Sequence, residues 1–295
     1  MRMRSIDVLR GGEILAKPIL SDEQDIIVPK GTILKTEYIP LIQSMGISSV
    51  FVEVSGNEQM HFNIGEQRYK EYVSKIRKIM EGHIHQSNTS LKQCEVIANE
   101  ILKDVLELSC EQYIFPQEFP SDLYEHTIRV TLLSLFIARK MQLDKQRLYN
   151  VALGCLLHDI GIRYITAPYK EVNLRDMDAA SVFELKKHTI LGYSALDGES
   201  WLPAISKKMI LAHHEKSDAS GYPMRLQYKE TECKIIQVCD AFDRYLSGME
   251  CKRVSTEQAI EKMKKYAGIR YDQKVVDILL KMIDSTFEET NMDVG

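Results

Sequence analysis

Apolar runs in this chain end again and again in residues that ordinary cores do not collect. Val151-Ala152-Leu153-Gly154-Cys155-Leu156-Leu157 is wholly apolar and is followed at once by His158-Asp159, with Gly161 behind. A run of that kind reads as a buried helix, so the histidine and aspartate that close it are delivered into the interior. An uncompensated buried charge costs several kcal/mol, whereas a metal ion can take both the imidazole and the carboxylate. Taken alone, the pair is equally what a core histidine bonded to its neighbour or to a helix end looks like.

The pattern repeats. Asp122 and His126 stand one helical turn apart ahead of the apolar stretch 128–137 and therefore share a face. Glu184, His188 and Gly192 repeat that spacing, Ile210-Leu211-Ala212 runs into His213-His214-Glu215, and Ile235-Ile236-Gln237-Val238-Cys239 runs into Asp240. Of the 8 histidines, His126, His158, His188, His213 and His214 fall at such places, while His61, His83 and His85 lie in polar surroundings and read as surface residues. If these groups converge, their mixed nitrogen and oxygen donors suit iron, manganese, zinc or nickel better than magnesium or calcium.

The rest of the composition bounds the setting. With 295 residues, 44% of them hydrophobic, the chain can build one large domain or a medium one with a small companion. A net charge of only -4 offers no broad basic surface, which argues against a nucleic-acid polymer and for a local site as the means of catching any phosphate. The 6 cysteines show no CxxC spacing and read as reduced thiols. Met1-Arg2-Met3-Arg4 looks like the start of a signal peptide, but Asp7, Arg10 and Glu13 break the apolar core that should follow. Apolar runs fall well short of the roughly 18 residues of a membrane span, so a cytoplasmic protein without a membrane partner is expected.

Along the chain, residues 1–56 read as a small α/β module, with β-type runs at 13–16, 25–28 and 48–52 and a helix over 36–45 that stops at Gly46. Residues 57–112 read as two helices, broken near Gly82 and around 87–90, whose apolar stripe serves either as a dimer arm or as the border of a core. A Pro- and Phe-containing loop at 113–120 leads into a helical domain over 113–295. The aperiodic stretch 161–182, with Arg163, Lys170 and Arg175, reads either as a lid placing positive charge near a phosphate or as a solvated loop. The expected fold is mainly α.

The ordered series His126, His158-Asp159-Ile160-Gly161, His188, His213-His214-Glu215, Asp218-Ala219-Ser220-Gly221-Tyr222-Pro223 and Asp240-Ala241-Phe242-Asp243 resembles the HD-GYP family. That family is a subgroup of the HD metal-dependent phosphohydrolases, best known for hydrolysing the second messenger cyclic di-GMP. The resemblance spans about residues 122–252 and implies an all-helical HD-type metal-binding domain, with the amino-terminal α/β module similar to one often placed before it. It further implies a bacterial, metal-dependent phosphodiesterase opening cyclic di-GMP or a related cyclic dinucleotide to linear products. Two or three transition-metal ions, iron or manganese, are implied as cofactors. Asp159 would be the catalytic bridge between two of them, with His126, His158 and Asp240 on one and His188, His213 and His214 on the other. Asp122 stands where members with three metals carry a glutamate. Such ions lower the pKa of a shared water and neutralise phosphoryl charge.

Departures from the family pattern open two other readings: a metal-retaining receptor for cyclic dinucleotides with weak catalysis, and a phosphohydrolase acting on another phosphate. Ile162 stands where the family has a lysine, so Ile162→Lys is expected to improve hydrolysis. Met249 and Cys251 stand where it offers an arginine and a tyrosine, with Lys252 kept. The expected substrate contacts are therefore Lys252, Tyr222, Arg163 and Lys170.

Overall fold

Short strands near the start of the chain pair as two small antiparallel ladders, and among the described residues after residue 64 the regular elements are all helical. The structure is a computed structural model that describes residues 2–6, 9, 11–21, 25–47, 49–52, 64–86, 90–108 and 122–289. Chain contacts divide it into two units, 1–60 and 61–295, each with a core of its own.

In the first unit β1 (Arg2–Ser5) pairs with β4 (Ser49–Val52), Arg2 opposite Val52, and β2 (Ile19–Leu20) pairs with β3 (Ile26–Val28). Helix α1 (Tyr38–Ser44) lies between β3 and β4 in the chain, and the turn behind it uses the positive φ of Gly46. One expectation is corrected, and one strand was not expected. The 13–16 run makes only isolated bridges, Ile14 with Ile33 and Leu15 with Val52, while the basic Arg2–Ser5 stretch is a strand. Leu15 still does what its apolar character asks, sitting fully buried with Ile6, Leu34, Ile42, Val50 and Val52.

The second unit begins with α2 (Glu66–Gln86), a 3₁₀ turn (Leu91–Gln93) and α3 (Cys94–Glu107). Helix α2 runs straight through Gly82, where a break is expected; a single helical glycine costs only about 1 kcal/mol. The stripes of these helices, Tyr72, Ile76 and Met80 on one and Ile97, Ile101 and Val105 on the other, are buried in the same core as the helices that follow. Their spacing thus reflects a core border rather than a face displayed for a partner. The 113–120 loop and His61 lie outside the described residues.

Helix α4 (Leu123–Lys140) is the centre of the unit. It is buried on every side from Leu123 to Ala138 apart from Glu125, as an all-round apolar helix must be, and packs between α5 (Lys145–Leu157) and α9 (Thr231–Ser247). Between these lie a 3₁₀ turn (Ile160–Tyr164), α6 (Ala179–Lys186), α7 (His188–Leu196) and α8 (Ala204–Ala212); α10 (Thr256–Tyr266) and α11 (Gln273–Glu289) close the chain. The 161–182 stretch is not loose: Glu171 N donates to Gly248 O at 2.7 Å, and Glu250 N donates to Tyr169 O. Arg253 adds a fork onto the Glu171 carboxylate at 3.0 and 3.1 Å. No helix among the described residues is long and apolar enough to cross a membrane.

Candidate metal centre

Helix termini leave carbonyls without intrahelical partners, and this chain fills several of them with histidine. His158, just past α5, donates from Nδ1 to Cys155 O at 2.7 Å; His213, just past α8, does the same to Ile210 O at 2.8 Å; His188, where α6 gives way to α7, reaches Leu185 O at 2.7 Å. A carbonyl can only accept, so the proton sits on Nδ1 and Nε2 is left as a lone-pair donor. His126, in the first turns of α4, has its Nδ1 on Asp243 Oδ2 at 2.6 Å, and Asp243 is held in turn by Arg129 at 2.6 and 2.9 Å. All four rings are fully buried.

The freed nitrogens then face one another. His126 Nε2 lies 3.2 Å from His158 Nε2, and His188 Nε2 lies 3.1 Å from His213 Nε2. Two lone pairs at that separation repel unless a cation lies between them. Asp159, 2% exposed, divides its carboxylate between the pairs: Oδ2 is 3.5 and 3.3 Å from His126 and His158 Nε2, and Oδ1 is 3.5 and 3.4 Å from His188 and His213 Nε2. Asp240 Oδ1 adds to the first group, 3.3 Å from His126 Nε2. His214 joins the second, so that the donors of Asp159, His188, His213 and His214, and those of His126, His158 and Asp240, each lie within 4.8 Å of one another. Donors about 2.1 Å from one ion, at right angles, would be about 3 Å apart.

The charges agree. Asp159 Oδ1, both oxygens of Asp240 and both nitrogens of His214 are sealed from solvent with no hydrogen-bond partner among the described residues. Burial works against the charge on Asp159 and Asp240, yet His158 and His126 around the first and Arg244 beside the second hold both carboxyls well below the usual range. Burial pushes the imidazoles of His213 and His214 down, keeping them neutral as ligands. His126 is pushed up, against burial, by Asp159, Asp240 and Asp243, so a positive charge is favoured where its ring meets them. These residues fit divalent transition-metal ions as a donor set.

The remaining expected residues are placed differently. Asp122 is not gathered with either group: it is the N-cap of α4, its Oδ1 accepting from Tyr124 N and Glu125 N at 2.9 Å, and its Oδ2 paired with Arg77. A residue at the cap stands ahead of the first turn and folds back over its amides, so the shared-face argument fails there. Arg163 donates to Glu81 Oε2 at 2.9 Å, on α2. Lys170 and Lys252 are exposed, carried on the paired segments around Glu171 and Gly248. Tyr222 does reach the centre, its ring 4.7 Å from that of His214 and its hydroxyl on Glu250 Oε2 at 3.2 Å. Glu215 explains the loop that carries it, since its buried carboxylate accepts from Met224 N at 2.6 Å and Leu226 N at 3.1 Å. Glu184 serves a loop too, accepting from Thr166 N and Oγ1. Ile162 is 2% exposed and belongs to the core, as does Met249.

Sequence reasoning assigned no role to four residues that matter here. Asp243 and Arg244 follow Asp240 at helical spacing on α9, which was the available signal, and Arg129 follows His126 by the same logic. Glu250 gives no signal; it enters because the ladder with Tyr169 and Glu171 turns the chain back onto the centre.

The family model described as HD domain matches residues 117–275. The chain belongs to the HD domain family. It is 30% identical over 166 residues to a cyclic di-GMP phosphodiesterase of Thermotoga maritima, covering 55% of this chain and 45% of that protein. It is 27% identical over 165 residues to the cyclic di-GMP phosphodiesterase PA4108 of Pseudomonas aeruginosa, covering 54% and 39%. The chain thus spans less than half the length of these curated relatives. The solved structure of Bd1817, an HD-GYP-type protein from Bdellovibrio bacteriovorus, superposes with a TM-score of 0.54 at 14% identity over 96% of this chain and 99% of that one, a likeness of fold. The resemblance to HD-GYP proteins read from the motifs holds for this HD domain.

Proposed function

We propose that this chain is a metal-dependent phosphodiesterase that opens cyclic di-GMP or a related cyclic dinucleotide to a linear product, with residues 113–295 as its catalytic domain. The observation that carries the reading is Asp159, whose two oxygens face two separate sets of imidazole nitrogens. A carboxylate so placed could serve an ion in each set, and two ions held side by side would suit in-line displacement at phosphorus. His126, His158 and Asp240 would hold one ion and His188, His213 and His214 the other; such donors suit iron, manganese, zinc or nickel, and the HD-GYP resemblance favours iron or manganese among them. Bound there, the ions would supply charge for the phosphoryl oxygens and an activated water.

The protein's own contribution is positioning. Asp243, Cys155, Leu185 and Ile210 fix four imidazoles in the tautomer that donates from Nε2, which sets the direction of each ligand before any ion arrives. Tyr222 closes the side of the centre at His214. Lys170 and Lys252 remain the exposed cations proposed for the substrate's outer phosphate.

The test is to load the chain anaerobically with iron or manganese, count the metal by elemental analysis, and follow cyclic di-GMP by chromatography. About two ions per chain and a linear product are expected, both lost in Asp159→Ala. One observation favours a receptor instead: Ile162 and Met249, at the positions where the family pattern has a lysine and an arginine, are buried apolar residues and offer a phosphate no charge. Fully metallated protein that binds cyclic di-GMP and leaves it intact establishes that second reading.

A further inference from the structure

Among the described residues, Arg244 is a cation that touches one of the ligand carboxylates directly. Its Nε sits 2.9 Å from Asp240 Oδ2, and its Nη1 donates to Glu250 Oε2 at 3.1 Å. The contact with Asp240 is one of charge alone, because neither Nε nor Oδ2 finds a hydrogen-bond partner. Glu250 itself is 3% exposed and also takes the Tyr222 hydroxyl, so the carboxylate acts as a strut between the arginine and the loop of Gly221-Tyr222-Pro223. The guanidinium is therefore fixed at one edge. Its other terminal nitrogen, Nη2, donates to no protein atom among the described residues, is not among the sealed atoms, and belongs to a side chain still 18% exposed.

We propose that Arg244 is a phosphate-binding residue of the site, with its open Nη2 edge taking a non-bridging oxygen of the phosphodiester that the two ligand groups receive. The proposal rests on the phosphodiesterase reading and names the contact that reading lacks. A guanidinium is suited to the task because its planar fork can serve the strut and an oxyanion together. The charge balance favours it as well: with two divalent ions, the three carboxylates of Asp159, Asp240 and Glu250 leave the centre at about +2 with Arg244 and about +1 without it. Glu250 cancels part of the arginine's charge, and its structural return is orientation: with Nη1 anchored, the rotamer that would swing the fork away is disfavoured.

Inorganic phosphate is the probe, titrated calorimetrically into the metal-loaded full chain, with metal content verified in every sample. Arg244→Met is expected to bind phosphate about 10- to 100-fold more weakly at unchanged metal content, the usual effect of losing a charge-assisted bond. Glu250→Gln should weaken it by a smaller factor. Wild-type phosphate affinity in fully metallated Arg244→Met overturns the proposal. If that variant fails to hold its ions, Arg244→Lys decides, since it keeps a positive charge beside Asp240 but not the fork: weaker phosphate binding supports the role, and wild-type affinity overturns it. The two readings fail separately. A wild type that leaves cyclic di-GMP intact, while the arginine variants lose phosphate, refutes the substrate and keeps Arg244; turnover in Arg244→Met with unchanged KM and unchanged phosphate affinity refutes Arg244 alone.

Discussion

Gly161 is the residue whose replacement should report most directly on how the two ligand groups are held. It lies two residues past Asp159 in the 3₁₀ turn, packed against the start of α7 where His188 is carried. An added Cβ would overlap the His188 carbonyl oxygen outright and lie 2.7 Å from its carbonyl carbon and 2.8 Å from Gly192 N, whereas real contacts of that kind stay above 3.0 Å. All three obstacles are backbone, so no side chain can swing aside. Either the turn or α7 must retreat, by on the order of 1 Å, and either movement separates Asp159 from His188. Overpacking of this sort costs about 1–3 kcal/mol, which for a domain of this size is a Tm drop of roughly 2–12 °C. Metal should suffer more than stability, because Oδ1 of Asp159 and Nε2 of His188, 3.5 Å apart, would have to reach the same ion, and the movement carries one away from the other. For Gly161→Ala we expect affinity for the second ion to fall about 10- to 100-fold, comparable to losing an outer partner of a ligand. Metal titration followed by elemental analysis, with thermal denaturation of the apoprotein, reads both effects. A Gly161→Ala protein with wild-type Tm and two tightly held ions would refute the argument from close approach.

Asp243→Asn removes the carboxylate that orients His126 Nδ1, and metal titration should show the affinity of the first group reduced about 10- to 100-fold. Asp122→Ala should leave the metal count unchanged and lower stability by about 1 kcal/mol, as loss of an N-cap does; elemental analysis showing one ion fewer would make it a ligand after all. Glu232 is paired with Arg147 at 2.7 and 3.0 Å, and although burial raises its pKa, the arginine more than offsets this and the folded value is lowered. Its contribution is therefore present above the unfolded value of about 4.3 and is lost as pH falls through the lower folded one, so urea melts of wild type and Glu232→Gln should differ at pH 6 and converge in strong acid.

What the sequence discloses here depends on whether a side chain's partner is near in the chain. His158 and His213 were legible because an apolar helix that stops on a histidine places its Nδ1 under the carbonyl three residues back. The same local logic made α1, α4 and α9 readable, since their apolar spacing is a property of the segment itself. It failed where the partner comes from elsewhere. The 13–16 run needs a neighbour to be a strand, and finds only single bridges. Asp122 satisfies the spacing rule but is claimed by two amides and by Arg77 from α2, 45 residues earlier. Glu250 was invisible because its place depends on a ladder with Tyr169 and Glu171, about 80 residues away in the chain by the same closure that ties Arg253 to Glu171. Long-range closure, rather than local propensity, separates the legible from the hidden residues of this centre.

Ile162 shows what that distinction does to an experiment. A comparison of motifs recommends Ile162→Lys, because the lysine would supply a phosphate contact after His158-Asp159-Ile160-Gly161. In the structure Ile162 is 2% exposed, its amide donates to Asp159 O at 3.0 Å, and its side chain is part of the main core. A lysine there must bury its ammonium or drag the 3₁₀ turn outward, and no carboxylate is found bonded at that point to receive it. The cost of an unpaired buried ion is several kcal/mol, about 3–5 by comparison with broken buried pairs, and the stem can recover only part of it by reaching for water. The expected result is a Tm lowered by roughly 10 °C or more, together with weaker metal binding, since Asp159 is anchored by the same turn. Ile162→Met, which keeps volume and apolarity, should be nearly silent and isolates the charge as the cause. A Lys variant as stable as wild type and faster on cyclic di-GMP would mean that the side chain emerges beside the metals, and that the packing of the turn against α7 is looser than its close contacts imply.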